Sequence, residues 1–174
     1  MLDSQSSFGK VAEGRILAVG LGLNCHFSVD FFYAKGNLPT FVNMGDIQHR
    51  EDVYTLVCAF YEKIRKDDLL GPIFNNRIPE EEWPAHLQKL TDFWESNLFS
   101  VYTFRGSPSA KHISVDRDNN HQIESRHFGH WLNLWVATVD GMFEGEKATR
   151  AKMKARKMAT GQFLTIWKAR EEKR

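Results

Sequence analysis

Three side chains in this sequence set a hydrogen-bonding group on a large apolar body, and each lies in an otherwise apolar helical stripe: Tyr61, His86 and Trp131. Tryptophan can only donate, tyrosine donates or accepts, and a neutral histidine does one with each ring nitrogen. Grouped around an apolar cavity, three such groups would address a small polar ligand. A fourth residue, His112, lies in a stretch without periodicity and could offer a cofactor one coordinating nitrogen from the opposite side. Taken singly, each has a plainer explanation: a tyrosine hydroxyl turned to water, a solvated histidine, a tryptophan that is simply core. The combination is what suggests a cofactor.

A second constellation is His121, His127 and His130. On a helix the last two are i and i+3 and could share a metal ion, but no cysteine or well-placed carboxylate completes a tetrahedral set. A polar helix face is the simpler reading. The motifs H-E-x-x-H, G-x-x-x-x-G-K-[ST] and G-x-S-x-G and the EF-hand loop are absent, which removes support for common hydrolase, nucleotide and calcium chemistries.

The elements that must position these residues are helical. Val53, Leu56, Val57, Phe60, Tyr61 and Ile64 recur at helical spacing over about 51–66, and Gly71-Pro72 stops the pattern. A second helix is expected over about 80–101, with Trp83, Leu87, Leu90, Trp94 and Leu98 in one row and Glu80 to Glu82 at its N-terminal end. Residues 102–120 lose the period and hold Gly106, Pro108 and an Asp/Asn cluster, so they read as a long loop with at most one short helical turn. Two further helices follow, over about 122–143 and 145–168. No strand alternation competes, and the fold class is all-α.

The chain of 174 residues suits one domain, and its 42% hydrophobic content can build a core. A formal charge of +1 offers no field for nucleic acid or an anionic membrane. Cys25 and Cys58 are the only cysteines, so no disulfide framework is implied and a reducing, cytoplasmic setting is expected. The apolar run Ile16 to Leu23 is far short of the roughly 20 residues that span a bilayer. Lys10 and Arg15 precede it like the start of a signal peptide, but Glu13 interrupts them and no small-x-small cleavage site follows closely. Residues 1–43 show no sustained period and read as an extension without its own core; Met44 opens the helical domain of 44–174 and is a candidate translation start.

The stretch AFYEKIRKDDLLGPIFNNRIPEEEWPAHLQKLTDFW at 59–94, then GSPSAKH at 106–112 and HFGHWLNLW at 127–135, resembles the truncated haemoglobins of group III. The likeness covers roughly residues 50–170, and its strength lies in several unrelated short motifs in one order and spacing. It implies a truncated globin fold, a helical sandwich, with a non-globin N-terminal extension, and non-covalent haem b as cofactor. It implies that His112 is the proximal histidine on the iron, that Tyr61, His86 and Trp131 are the distal residues, and that Phe74 packs on the porphyrin. Leu90 and Phe93 extend the distal wall beyond His86, and Phe128 adds to the apolar lining.

Such a pocket suits O2, NO or CO, because donors fixed in a dry site stabilise a polarised bound ligand. Slow release would favour NO dioxygenase or peroxidase-like detoxification over bulk transport. Turnover would need a separate reductase, since no flavin or nicotinamide module is evident; a monomer or weak dimer is expected, with no nucleic-acid or membrane partner. Two other readings stand beside it: a haem-free helical interaction protein or sensor that keeps the fold, and a structural metal protein built on His121, His127 and His130.

Overall fold

In the computed structural model, residues 45–172 are described, and the expected extension over 1–43 lies outside them. Six α-helices follow one another: α1 Arg50–Lys66, α2 Gly71–Asn75, α3 Trp83–Phe99, α4 Pro108–Asp118, α5 Ser125–Asp140 and α6 Glu146–Glu171. Helix α1 packs on α3 and α5, and α6 packs on α5, α4 and α3. None of the described helices is long and apolar enough to cross a membrane.

Helix α1 begins where Asp52 Oδ2 accepts the backbone N–H groups of Gln48 and His49 at 2.8 and 3.0 Å, satisfying donors that the helix itself cannot. Its stripe of Val53, Leu56, Val57, Phe60, Tyr61 and Ile64 is buried, as the spacing predicts. The helix ends at Asp67, whose Oδ1 accepts the amides of Leu69 and Leu70 and turns the chain at once into α2. Gly71-Pro72 therefore opens a short helix rather than only stopping one: Pro72 sits in its first turn, where a missing N–H costs nothing. The third segment divides similarly. Glu80–Glu82 form a 3-10 turn, and α3 proper starts at Trp83 with Pro84 in its first turn. It stops at Ser100, which takes a left-handed conformation at φ 58°.

The expectation of a long loop over 102–120 is corrected by α4, which fills eleven of those residues. Ser107 caps it by accepting the Ala110 amide at 3.4 Å, and Pro108 occupies the first turn. Its periodicity was invisible because the one side chain it fully buries is Asp116. Helix α6 lays a ridge of small residues, Ala148, Ala151, Ala155 and Ala159, into the core, which allows close approach of the neighbouring helices.

The first turn of α6 is capped from the other end of the described chain. Asp46 accepts the amides of Lys147 at 2.9 Å and Ala148 at 2.8 Å, besides that of Ile47 at 2.9 Å. Burial pushes the Asp46 carboxyl up, but these amides more than offset it and hold it below its ordinary value. Gly145 makes room for this clamp at φ 148°; a Cβ there would lie 2.4 Å from Asp46 Cγ. Gly145→Ala should therefore destabilise by about 2 kcal/mol through strain and loss of the cap, read as a lower urea midpoint; unchanged stability would show that the clamp contributes nothing.

Candidate functional site

The site is assembled from α1, α2, α3, α4 and α5. On one side, the Tyr61 ring meets Phe74 of α2 at 5.8 Å between centroids, Trp83 of α3 at 6.0 Å and His86 of α3 at 6.1 Å. The indole of Trp131, from α5, lies close enough to the Tyr61 hydroxyl to favour its ionised form. Tyr61, Phe74, His86 and Trp131 thus converge. Arg65 fixes their rim: its guanidinium lies 4.7 Å over the Trp83 ring and pairs with Glu80. Trp83 in turn packs edge-on against His86 at 5.6 Å, so the His86 ring lies against Tyr61 and Trp83.

Direction matters in the Tyr61 and Trp131 pair. An indole N–H can only donate, so toward Trp131 the Tyr61 oxygen can act only as an acceptor, and its own O–H proton remains for another partner. Burial raises the Tyr61 pKa well above its ordinary value, and the nearby Trp131 indole offsets this only in part, so the hydroxyl stays protonated at neutral pH. Burial also lowers the His86 pKa, with Lys89 adding to the effect, which leaves its imidazole neutral at pH 7.

His112 lies in the helix α4, not in an irregular loop. Its Nδ1 is 2.8 Å from the Pro108 carbonyl oxygen. A carbonyl only accepts, so Nδ1 carries the proton and Nε2 keeps a lone pair free for a metal. Burial lowers the His112 pKa, partly offset by the Pro108 bond, and the ring is neutral as ligation requires. Its ring lies 6.0 Å from that of Phe128 on α5. Phe128 and Trp131 are three residues apart, about 4.5 Å along the helix axis, so α5 contributes one side chain beside His112 and the next beside Tyr61.

Leu90 and Phe93 continue along α3 from His86 and are half-buried against the core. Two aromatic residues join the wall that sequence reasoning did not assign to it. Phe104 packs on Phe93 at 5.1 Å, held there because Ser96 Oγ accepts the amides of Thr103 and Phe104. Phe163 of α6 packs on Phe128 at 6.0 Å. A lone phenylalanine in the polar stretch 102–107 was the available signal for the first. Phe74, Leu90, Phe93, Phe104, Phe128, Trp131 and Phe163 are all half-buried, whereas the helix-core residues around them are fully buried. A depression of about 590 Å³ at the start of α6, lined by Glu144, Glu146, Thr149, Arg150 and Met153, shares no residue with this set.

The other histidines each have a partner of their own, and His121 remains exposed. His127 is buried, and its Nδ1 accepts the Glu124 amide at 3.0 Å in a capping box that starts α5. His130 Nε2 lies 2.6 Å from Asp67 Oδ2 and His121 Nδ1 2.7 Å from Asp116 Oδ2. Each is therefore engaged separately, and among the described residues no group of three or more His, Cys, Asp or Glu could hold a metal.

No family model matches the chain. The chain is 32% identical over 114 residues to the group 3 truncated hemoglobin ctb of Campylobacter jejuni, covering 64% of this chain and 86% of that protein. It also matches the crystal structure of a group III truncated hemoglobin from Campylobacter jejuni with a TM-score of 0.62 and 30% identity, over 69% of this chain and 92% of the other. Helices in this order, at this identity and over nearly the whole of that relative, place the chain in the group 3 truncated haemoglobin family.

Proposed function

We propose that this protein is a haem-binding globin that reversibly binds O2, NO or CO, with non-covalent haem b held by His112 Nε2 and the distal face built by Tyr61, His86 and Trp131. The observation that carries the reading is the His112 imidazole: neutral, with Nδ1–H committed to Pro108 and Nε2 left as a ligand. The residues fit the group. A flat apolar macrocycle would cover the half-buried set of Phe74, Leu90, Phe93, Phe104, Phe128 and Phe163, which are large apolar side chains left part-open. When bound, the haem supplies an iron centre that takes a diatomic ligand.

The chain's own groups set which ligand is favoured. The Trp131 N–H beside Tyr61 can only donate, which leaves the Tyr61 O–H available as a donor in a dry, low-dielectric setting. A donor held in place before the ligand arrives favours polar O2 over CO. Tyr61→Phe should therefore speed O2 release by about tenfold for each 1.4 kcal/mol of lost stabilisation, while CO release changes less. Stopped-flow displacement checks this, and equal changes for the two ligands would sink it.

Tight retention suits chemistry on the ligand better than transport, and we place NO or peroxide detoxification, with electrons from a separate reductase, within the same proposal. Rapid mixing of the O2-equilibrated ferrous protein with NO should yield nitrate and ferric protein; no nitrate would remove the dioxygenase reading. The scarcity of cysteine supports a cytoplasmic setting. The test of haem binding is the absorption spectrum after reconstitution, ferric, then ferrous under O2 and under CO. A Soret band that moves with each ligand is expected; no Soret band would leave a haem-free helical protein.

A further inference from the structure

Aromatic packing in this core is mostly edge-to-face. Phe60 meets Tyr61, Trp131 and Trp135 at 82–83°, and Phe93 meets Trp94 and Phe104 at 79–80°. Such T-shaped contacts are a favoured arrangement of aromatic rings. Three indoles depart from it. Trp131 and Trp135, four residues apart on α5, are parallel to within 2° with centroids 6.0 Å apart. Trp135 and Trp94 of α3 are parallel to within 12° at only 4.1 Å. Trp135 belongs to both pairs, so the three rings form a column across the core. Its Trp131 end adjoins the Tyr61 hydroxyl, and its other members, Trp135 and Trp94, are 0% and 2% exposed.

Two chemical features single out this column. Stacked π-systems in van der Waals contact couple electronically and spread a positive charge over both rings, so the Trp94 and Trp135 pair gives up an electron more readily than either ring alone. The Trp135 N–H is buried and meets no acceptor. An oxidised Trp135 therefore has nowhere to send its proton, and the electron can return without a proton having to be recovered. Tyr61 is the poorer donor here, because its buried hydroxyl would have to lose a proton to be oxidised.

We propose that Trp131, Trp135 and Trp94 form a reservoir for oxidising equivalents, in which an electron leaves the Trp94 and Trp135 pair by way of Trp131 for a peroxide reduced beside Tyr61. Reduction of H2O2 to two waters breaks the O–O bond and takes two electrons and two protons. One electron comes from the column and one from the bound haem, and the protons come from solvent. No bond to an indole forms or breaks. The inference rests on the haem reading for its oxidant, but the column's redox behaviour belongs to the chain alone.

Two experiments separate the two. The full chain, haem-loaded and ferric, is mixed with H2O2, freeze-quenched and examined by electron paramagnetic resonance with ring-deuterated tryptophan. A radical signal that narrows on deuteration is expected, and its loss in Trp135→Phe. The haem-free full chain is then oxidised by photogenerated tris(bipyridine)ruthenium(III), in a Trp167→Phe background because the Trp167 indole is half exposed and would answer first. The same signal and the same loss are expected. Trp94→Phe removes the stacking partner while keeping Trp135, and should shorten the signal's lifetime; it serves if Trp135→Phe does not fold. A wild-type signal insensitive to tryptophan deuteration, or one unchanged in both variants, overturns the reservoir. Failure of haem to bind together with a tryptophan signal from the ruthenium reaction overturns the haem reading instead, whereas a signal from that reaction and none from peroxide in haem-loaded protein overturns the route past Trp131.

Discussion

His112→Gly should abolish protein ligation of the haem iron, and added imidazole should restore it. The glycine leaves a space the shape of the lost ring, open toward the position of Nε2, so a free imidazole entering it meets the same Pro108 carbonyl that holds Nδ1–H in the native ring. The ferrous spectrum should change to that of haem without a histidine ligand and then revert as imidazole is titrated in. Spectra identical to wild type without imidazole would remove His112 from the iron. The helix itself should survive, because the Ser107 cap and Pro108 lie upstream and glycine within α4 costs about 1 kcal/mol. Circular dichroism separates loss of the ligand from loss of the fold.

Asp116→Asn should cost about 3 kcal/mol of folding free energy at pH 7, near the low end for breaking a buried ion pair because the Arg170 side chain is 24% exposed and can rehydrate. Asp116 is 2% exposed and accepts hydrogen bonds from Arg170 Nε at 3.0 Å, from Arg170 Nη2 and from His121. Arg170 Nη2 also donates to the Ile123 carbonyl at 2.8 Å, so one guanidinium ties α6 to α4 and to the entry of α5. Burial pushes the Asp116 carboxyl up, but Arg170 and then His121 more than offset it, and it sits below its ordinary value of 3.8. A depressed folded pKa contributes stability that is complete above 3.8 and is lost as pH falls through the folded value. The gap between wild type and Asp116→Asn should accordingly hold from pH 7 to about 5 and narrow below about 4. Urea unfolding at each pH measures it, and equal midpoints at pH 7 would dismiss the network. Asp116 stands one turn beyond His112, so the variant should also loosen the helix that carries the proposed iron ligand.

The helices that bury apolar stripes were legible from spacing alone, within a few residues at each end. Helix α4 was not, because it turns Asp116 inward and leaves Ile113 and Val115 half-buried, so hydrophobicity has no 3.6-residue rhythm there. Its start was written in Ser107-Pro108, a capping signal overshadowed by the Gly and Asn residues around it. Tyr61, His86 and Trp131 could be picked out as polar tips on apolar stripes, and the structure brings them together with Phe74. That Trp131 comes to lie beside the Tyr61 hydroxyl is tertiary information. His127 and His130 looked like a polar face because their partners, the Glu124 amide and Asp67, are a backbone group and a residue 63 positions away. The apolar wall gained Phe104 for a similar reason: the serine that pins it lies on another element.

The Asp46 clamp has a consequence for how the molecule opens. The amides of Lys147 and Ala148 belong to a first helical turn, where no intrahelical partner exists, and would ordinarily exchange with solvent deuterium as fast as the turn frays. Here they are held by a carboxylate more than a hundred residues upstream, so their exchange requires the segment before α1 and the start of α6 to part. Closing a chain segment of that length costs about 4 kcal/mol in the logarithmic entropy term alone. Lys147 and Ala148 should lose protection together, as a two-amide gauge of this long-range closure that reads independently of the haem site.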